Sequence, residues 1–425
     1  MHGSIGGRNQ NMDQVIRVGI IGMGGFAGAH HDAIKRIEGE GGCKLICACD
    51  PMPGAFEDRM KEWDLSGRGV AVFDDYIKML GACKDQLELV FIPTPVPLHA
   101  PMHRACIERG LPVYLEKPPT LDYAELDQML AVETGAVKLT NVGFNYIIDS
   151  QRQRLKQRIS NGEFGNVRRV CFYGLWPRPA SYYQRAPWAG RLMLDGRLVL
   201  DSCMGNAMAH YIHNVLFWAG SDGLFSWGEV SEVEAELYRA HSIQGMDTVF
   251  AKAKVSGGID VQVALSHACD GEQVNPEWVI CDEAVIRFDV NKGYQIEWND
   301  GTTETGEPGA ADLYGNLIAH LEYLRGSADR PVTKLVDSRP FVQFCDLVYV
   351  AAQKITSVAS EYIVRSSTPD GSGEYVAIKE LANIVDQFFA TDSFPSRQGI
   401  SWARPGGTAS VSDLPKLHDI IPTIV

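Results

Sequence analysis

A glycine-rich turn between an apolar run and an amphipathic segment constrains the fold most. Val15–Ile21 runs directly into Gly22–Ala27 (GMGGFA), and apolar positions recur at helical spacing over Phe26–Ile37. In a G-x-G-x-x-A turn between strand and helix, the first glycine permits the tight turn, the second admits a pyrophosphate, and the alanine allows close packing. The pattern predicts a dinucleotide-binding βαβ unit. A plain glycine turn is the alternative, since loops collect glycine.

An acidic residue ends the second apolar run. Leu45–Cys49 is followed by Asp50, somewhat later than the usual spacing, and the glycine-rich stretch Gly39–Gly42 accounts for the delay. A carboxylate at this strand end accepts hydrogen bonds from ribose hydroxyls and repels a 2′-phosphate. We therefore expect NAD as the cofactor in preference to NADP. Alternatively, Asp50 and Pro51 merely open a turn.

The order of apolar patterns divides the chain. The first third alternates short apolar runs with amphipathic segments, which predicts a parallel sheet covered by helices. Longer strand patterns with few helices follow, which predicts a largely antiparallel sheet in an α+β domain. We expect a flexible leader over residues 1–14, an α/β Rossmann domain over 15–145, a substrate and oligomerisation domain over 146–365, and a C-terminal extension over 366–425.

Composition restricts the partners. The formal net charge is −14 and no long Lys/Arg run occurs, so neither nucleic acid nor membrane is expected to bind. No apolar stretch reaches the roughly 18 residues of a membrane span, and the polar N-terminal segment has no signal-peptide core. Cys43, Cys47 and Cys49 share one face of a strand, which favours a buried thiol stripe over a metal site. We expect a cytoplasmic protein without a metal.

Three further segments carry a family resemblance. Phe91–Pro95 (FIPTP) is followed by His99, and Val113–Pro118 (VYLEKP) and Val142–Asn145 (VGFN) come later. With the glycine turn and in this order, the chain resembles the Gfo/Idh/MocA family of NAD(P)-dependent oxidoreductases over about residues 15 to 360. The resemblance implies a Rossmann domain, an open-faced antiparallel sheet that serves a homodimer or homotetramer, and a cis peptide before Pro118. The expected cofactor-binding residues are Gly22, Gly24, Gly25, Phe26, Ala27, Asp50, Thr94, Pro95, His99, Glu116, Lys117 and Asn145.

The resemblance places Lys117 between nicotinamide and substrate. The residues support this independently, because Lys117 follows the strand pattern Val113–Leu115, and parallel sheets bind ligands at the carboxyl ends of their strands. An ammonium group there can hydrogen-bond a substrate oxygen and stabilise a developing alkoxide. The alternative is a surface lysine paired with Glu116, although neighbours on a strand point to opposite faces.

The family usually carries Asp, His and Asp at spacings of four and three on an active-site helix. Here Asn206, His210 and His213 occupy that register, on one face of a predicted helix. His210 matches the family's catalytic histidine, and Asp201 can supply the charge that Asn206 lacks. A metal held by the two histidines is the alternative, with too few ligands nearby. The expected substrate-side residues are Tyr146, Tyr183, Arg185, Trp188, Asp201, Asn206 and His213, and a packed loop is the other interpretation of the segment Trp176–Trp188.

We expect hydride transfer between nicotinamide and a secondary alcohol or ketone of a sugar or polyol, with Lys117 and His210 as catalytic residues. Transient use of NAD in glycoside cleavage or modification without net redox change, and a non-catalytic dinucleotide sensor, are the alternatives. One face of the second sheet, with Val261, Val263 and Leu265, is expected to form a subunit interface. The extension, with Phe389, Phe394 and Trp402, either adds to that interface or caps the active site.

Overall fold

A computed structural model describes residues 14–371 and 373–424, so the predicted leader lies outside the described residues except for its last position. The chain folds into two units. The first comprises the described residues up to Pro119, with Asp127–Ile148 and Ala311–Val336. The second comprises Thr120–Leu126, Asp149–Ala310 and the described residues from Asp337 onward.

The strands and helices are numbered here in chain order. The strands are β1 Ile16–Ile21, β2 Cys43–Cys49, β3 Ala71–Phe73, β4 Leu89–Ile92, β5 Val113–Leu115, β6 Asn141–Val142, β7 Val167–Leu175, β8 Met193–Leu194, β9 Arg197–Leu198, β10 Val230–Arg239, β11 Thr248–Val255, β12 Ile259–Ser266, β13 Glu277–Cys281, β14 Ala284–Asp289, β15 Gly293–Trp298, β16 Thr303–Gly306, β17 Thr356–Ser357, β18 Ile363–Ser367, β19 Glu374–Ile378 and β20 Gly407–Ser410. The helices are α1 Ala27–Gly39, α2 Glu57–Glu62, α3 Tyr76–Cys83, α4 His99–Ile107, α5 Tyr123–Glu133, α6 Ser150–Ser160, α7 Ala209–Ala219, α8 Leu313–Leu324, α9 Arg339–Ala352, α10 Leu381–Thr391 and α11 Leu417–Ile424.

The first unit is built on a six-stranded parallel sheet. Its strand order is β3-β2-β1-β4-β5-β6, with parallel pairing throughout. This is the Rossmann order, whose direction reverses between β1 and β4, where dinucleotides bind at the strands' carboxyl ends. The glycine turn follows β1 at this point. The Rossmann fold predicted from the sequence is confirmed.

Helix α8 belongs to the first unit, although the sequence boundaries placed it in the second domain. Its Leu317 and Leu321 pack against Ile34 and Ile37 of α1 in one buried cluster. These leucines form an apolar stripe at helical spacing, and such a stripe does not specify which sheet layer it will cover. The boundaries need a second correction, because residues 366–424 form no separate unit and pack within the second one.

The second unit contains a ten-stranded mixed sheet of order β16-β15-β14-β13-β7-β12-β11-β10-β17, with β20 also paired to β10. Most neighbours are antiparallel, as predicted, while β7–β12 and β10–β17 are parallel. Helix α7 covers one face, where Tyr211 stacks on Phe172 at 4.6 Å between ring centroids. Val263 pairs with Phe172 and therefore faces the same helix layer.

This pairing overturns one expectation. Val261, Val263 and Leu265 share a side of β12, and each is at most 1% exposed. They lie under helices of their own unit, so they cannot form the exposed subunit interface that we predicted. Alternation along a strand shows that these residues share a face, but it does not show what covers that face.

The opposite face is covered by the chain's own residues 374–403, here called the covering segment. Val376, Ile384, Phe388 and Trp402 of this segment join a buried cluster with Phe250 and Ala264 of the sheet, among other residues. Gln262 Nε2 also donates a hydrogen bond to the Phe388 carbonyl at 2.9 Å. The central strands are thus not open-faced, and the segment covers its own sheet.

All ten cysteines are buried free thiols, including the predicted stripe of Cys43, Cys47 and Cys49 on β2. Burial raises the pKa of Cys43 to about 12, so this thiol stays protonated at neutral pH. No helix within residues 14–371 or 373–424 is long and apolar enough to cross a membrane.

Candidate active site

The glycine turn has the geometry that its sequence predicts. Gly22 adopts φ +118° and Gly25 φ +57°, where side chains are disfavoured. The Gly22 N–H donates to the Cys49 carbonyl at 2.7 Å, which ties the turn to β2. A Cβ on Gly22 would lie 3.5 Å from the Ala27 Cβ and from the Pro93 carbonyl. The turn therefore presents bare backbone at the start of α1, which suits a pyrophosphate.

Asp50 lies beside this turn. Its Oδ2 accepts a hydrogen bond from the Met23 N–H at 3.1 Å, and its Oδ1 accepts one from the Met52 N–H at 3.0 Å. The residue is 9% exposed. Each carboxylate oxygen has a further lone pair, so the group can still accept from a ribose hydroxyl. The geometry fits the predicted ribose contact.

His31 supports the turn and was not identified from the sequence. Its Nε2 donates to the Gly22 carbonyl at 3.2 Å, and its ring stacks on Trp63 at 3.9 Å. Burial lowers the pKa of His31 to about 4, so the imidazole is neutral at pH 7. The only signal in the sequence is the position of His31 in the helical pattern, and that position fits a surface histidine as well as a buried one.

His99 connects two loops at the carboxyl edge of the sheet. Its Nε2 is 2.7 Å from the Thr94 carbonyl, and its Nδ1 is 2.9 Å from the Pro118 carbonyl. Burial lowers the pKa of His99, and the contacts to the Thr94 and Pro118 carbonyls oppose this effect. Because the ring is fully buried, the geometry favours a positioning role over the predicted direct cofactor contact. The peptide between Lys117 and Pro118 is cis, as the resemblance implied.

Glu116 fixes the backbone of Lys117. Its Oε2 accepts from the Lys117 N–H at 3.0 Å, and its Oε1 lies 2.9 Å from His30 Nε2. His30 is fully buried and Glu116 is 5% exposed. A Cβ on Gly143 would come within 2.9 Å of Glu116 Oε1, so this glycine leaves room for the carboxylate. The side chain of Lys117 is partly exposed and starts from a fixed backbone.

The Asn145 side chain accepts two hydrogen bonds within the first unit. Its Oδ1 accepts from Asn316 Nδ2 at 2.8 Å and from the Tyr114 hydroxyl at 3.3 Å. Asn316 lies on α8, so this hydrogen bond is one of the contacts that hold α8 in the first unit. Tyr146 follows in the same short turn and is partly exposed.

In the second unit, Asn206 and His210 do not share one α-helix. Asn206 lies in a π-helical turn, Cys203–Ala207, and Met208 leaves the helical region at φ −101° and ψ 18°. Helix α7 begins at Ala209 with His210 in its first turn. The wider turn shifts Asn206 off the predicted helix face, because the 3.6-residue period does not hold across it.

Asp201 and Asn206 are nevertheless brought together. Asp201 Oδ1 accepts from Asn206 Nδ2 at 2.7 Å, and its Oδ2 accepts from the Gly190 N–H at 2.6 Å. Arg185 lies 3.5 Å from the same carboxylate. Burial raises the pKa of Asp201, and Arg185 is the main opposing influence. The carboxyl group that Asn206 lacks is therefore present one hydrogen bond away, on Asp201.

Arg185 is held between two aromatic rings. Its guanidinium carbon lies 3.8 Å from the Tyr182 ring centroid and 4.6 Å from the Trp188 centroid. Its Nη1 also donates to the Tyr182 carbonyl at 2.7 Å. These contacts give the 182–188 segment a defined shape, and Tyr182 and Trp188 are partly exposed.

His213 has different surroundings from those predicted. It is fully buried, and its Nδ1 accepts a hydrogen bond from Trp227 Nε1 at 3.3 Å. Burial lowers the pKa of His213 to about 3. This environment favours a packing role over the predicted substrate contact. His210, three residues earlier, is partly exposed.

A buried charge network anchors α7 and was not foreseen. The two oxygens of Glu277 accept from Arg152 at 2.6 and 2.9 Å, from Asn214 at 3.0 Å and from Trp218 at 2.5 Å. Arg152 and Glu277 are both fully buried. Asn214 and Trp218 lie on α7, so the network holds the helix that carries His210.

Comparison with known proteins agrees with this architecture. The family model described as "Oxidoreductase family, NAD-binding Rossmann fold" matches residues 16–144, and the "GFO/IDH/MocA C-terminal domain" matches residues 152–287. Inositol 2-dehydrogenase from Rubrobacter xylanophilus is 32% identical over 169 residues, which are 39% of this chain and 45% of that protein. Myo-inositol 2-dehydrogenase from Thermotoga maritima is 24% identical over 200 residues, 46% of this chain and 54% of that protein. The chain thus spans about half the length of these curated relatives.

A solved structure shows the same fold. The WlbA dehydrogenase from Bordetella pertussis, in complex with NADH and UDP-GlcNAcA, matches with a TM-score of 0.62 and 20% identity. The match covers 79% of this chain and 96% of that chain. The two family models together account for more than half of the 425 residues; the first spans the whole parallel sheet, and the second spans β7 to β13 and part of β14 of the mixed sheet. The chain therefore belongs to the Gfo/Idh/MocA family of oxidoreductases.

Proposed function

We propose that this protein transfers hydride between NAD(H) and a secondary alcohol or ketone of a sugar or polyol. The observation that carries the proposal is the fixed Lys117 backbone, held by Glu116 just beyond the end of β5. Open parallel sheets bind ligands at this edge. The relatives named inositol 2-dehydrogenase, and the neighbour bound to NADH and a nucleotide sugar, support the same class of substrate.

The first unit supplies the residues for the cofactor. Gly22 and Gly25 present the bare turn for the pyrophosphate, and Asp50 accepts from the adenosine ribose. Bound NAD would supply the hydride acceptor in oxidation, or the donor when reduced. The carboxylate of Asp50 disfavours a 2′-phosphate, and no arginine occurs in the following residues Pro51–Gly54. We therefore propose a preference for NAD(H) over NADP(H).

Two side chains have the proposed chemical roles. Lys117 donates a hydrogen bond to the reacting oxygen and stabilises negative charge on it. His210 takes the hydroxyl proton during oxidation and returns it during reduction. Asp201, through Asn206, supplies fixed polarity on the substrate side, and Arg185 and Trp188 offer a cation and an aromatic face.

Alanine substitutions test these roles. Lys117→Ala should reduce kcat about 10²- to 10³-fold, and His210→Ala about 10²- to 10⁴-fold. Lys117→Arg should also lose most of kcat, because a forked guanidinium does not replace a compact ammonium group. Cofactor affinity should stay near wild type, since the turn and Asp50 are unchanged. The assays are NADH formation across a panel of sugars and polyols, and NADH binding by fluorescence.

Lys84→Ala, which removes an exposed lysine of the same unit, is the matched control. Near-wild-type kcat in both alanine variants would show that Lys117 and His210 are not the catalytic residues. Accumulation of NADH separates net oxidation from a reaction that uses NAD transiently. Cofactor binding without turnover of any sugar would instead support a dinucleotide sensor.

The family resemblance also leads us to propose a homo-oligomer, a dimer or tetramer. The covering segment and the helix layer bury the central strands on both faces. We propose that a subunit contact on this sheet uses the strands toward its β16 end, where Val285 of β14 is only partly buried.

A further inference from the structure

A cavity of about 570 Å³ lies within the second unit beside the loop that carries Arg185. It is formed between residues 180–191 and 241–244. This volume is within the usual range for small-molecule sites, roughly 300–1,000 Å³. Its polar lining residues are Tyr183, Gln184, Arg191, His241, Ser242 and Gln244. Among the described residues that line it, none carries a carboxylate.

Arg191 gives this wall an uncompensated positive charge. Within residues 14–371 and 373–424, no hydrogen bond or ion pair of its guanidinium occurs, and the residue is exposed. The side chains of Gln184 and Ser242 likewise have no hydrogen-bond partner among the described residues. An unpaired cation together with free hydrogen-bonding groups is notable in a chain whose net charge is −14. These groups are available to a ligand.

His241 is already partnered at both ring nitrogens. Its Nδ1 lies 2.8 Å from Asp247 Oδ2, and its Nε2 lies 3.1 Å from the Arg178 carbonyl. Asp247 is itself fully buried. Among the described residues that line the cavity, Arg191 is therefore the charged side chain that a ligand would meet.

The walls of the cavity are held in place. The N–H groups of Gln244 and Gly245 donate to the Gly190 carbonyl at 3.0 and 2.9 Å. Arg239 donates to the Ile243 and Gln244 carbonyls at 3.2 and 2.6 Å. The Gly190 N–H donates in turn to Asp201, so the cavity adjoins the Asp201–Asn206 pair. A preformed wall lowers the ordering cost of binding.

We propose that this cavity binds an oxyanion, a carboxylate or a phosphate, carried by the carbohydrate substrate, with Arg191 as its charged contact. A guanidinium matches both groups with two parallel hydrogen bonds. Gln184 and Ser242 add neutral donors. This inference rests on the proposed function and narrows its substrate from sugars in general to acidic or phosphorylated sugars.

Calorimetric binding to the NADH-loaded protein tests the inference without requiring turnover. The probes are D-glucuronate, glucose 6-phosphate and glucose, titrated into wild type, Arg191→Gln and Arg197→Gln. Arg197 is an exposed arginine on β9 that does not line the cavity, so it is the matched control. We expect at least one anionic sugar to bind more tightly than glucose. We expect Arg191→Gln to weaken that anion about 10- to 100-fold and Arg197→Gln to leave it unchanged.

Tighter binding of D-glucuronate than of glucose indicates a carboxylate site, and tighter binding of glucose 6-phosphate indicates a phosphate site. Equal affinity for all three sugars, absence of anion binding, or equal effects of the two arginine substitutions would overturn the inference. Failure of the proposed function has a different signature, since no sugar would then yield NADH whatever the calorimetry shows.

Discussion

Replacing the buried carboxylate of Glu277 should destabilise the second unit strongly. In Glu277→Gln, one oxygen acceptor becomes an NH₂ donor and the negative charge is lost. Four donors from three side chains point at these two oxygens, so at least one would face another donor. The Arg152 charge, which is fully buried, would lose its counter-charge.

The size of the effect follows from this burial. Removing one member of a buried ion pair costs about 3–5 kcal/mol, because the remaining charge stays desolvated. The matched control is Glu297→Gln, which breaks the Arg287–Glu297 pair at 2.9 Å. Those side chains are 46% and 52% exposed. Exposed pairs contribute only about 0–1 kcal/mol.

The assay is urea unfolding followed by tryptophan fluorescence, which also reports on Trp218 in the network. Asn214→Ala is a graded second variant that removes one donor to the carboxylate and should cost about 1.5–3 kcal/mol. It keeps the test informative if Glu277→Gln does not fold. Equal losses in free energy of unfolding for the Glu277 and Glu297 variants, with no loss for Asn214→Ala, would refute the reasoning.

The remaining predictions concern cofactor choice, acid stability, the covering segment and assembly. Titration should show tighter binding of NADH than NADPH, and Asp50→Ser should narrow the difference; tighter NADPH binding to the wild type would contradict the role of Asp50. Burial lowers the pKa of His213, His267 and His320 from 6.5 to about 3, so below pH 6.5 only the unfolded chain binds these protons. Urea unfolding should therefore show stability falling with pH below 6.5, by up to about 1.4 kcal/mol per pH unit for each histidine, and a flat profile from pH 7 to 5 would be inconsistent. Phe388→Ala should lower the free energy of unfolding by about 3–5 kcal/mol, and Phe389→Ala should lower it less, because Phe389 is partly exposed. Equal losses in the two variants would contradict the packing of the covering segment on the sheet. Sedimentation at micromolar concentration should show a dimer or tetramer, and a monomer would contradict the proposed assembly.

Local patterns predicted the elements of the first unit well. The apolar run Val15–Ile21 before the glycine turn became β1, and the helical pattern over Phe26–Ile37 became α1. These elements follow from periodicity and turn chemistry within about ten residues. Helix α3 is eight residues long and offers barely two turns of such a pattern, so local periodicity identifies it poorly.

Long-range partners could not be predicted in the same way. Glu116 meets His30, which lies 86 positions earlier, and no local pattern links the two. The covering segment shows the same limit. Ala377 pairs in the hairpin of β18 with β19, and α10 begins only at Leu381. Tertiary pairing decided where that helix starts.

In the candidate site, too, local motifs were predictable from the sequence and long-range contacts were not. The glycine turn and Asp50 are sequence motifs, and the structure brings them together. The pairing of Asp201 with Asn206 was anticipated only as nearness in sequence. The π-helical turn before α7 and the buried state of His213 depend on packing, which a helical period alone does not predict.

The position of the covering segment has a consequence during synthesis. Strands β7 to β12 leave the ribosome first, and helix α10 follows roughly 100 residues after β12. At a synthesis rate of about 5–20 residues per second, the covering segment is completed about 5–20 s after the strands. During that interval, Phe250 and Ala264 lack the aromatic partners that bury them in the finished fold. Chains interrupted before residue 374 would keep this apolar surface, so translational pausing there should favour aggregation or capture by chaperones.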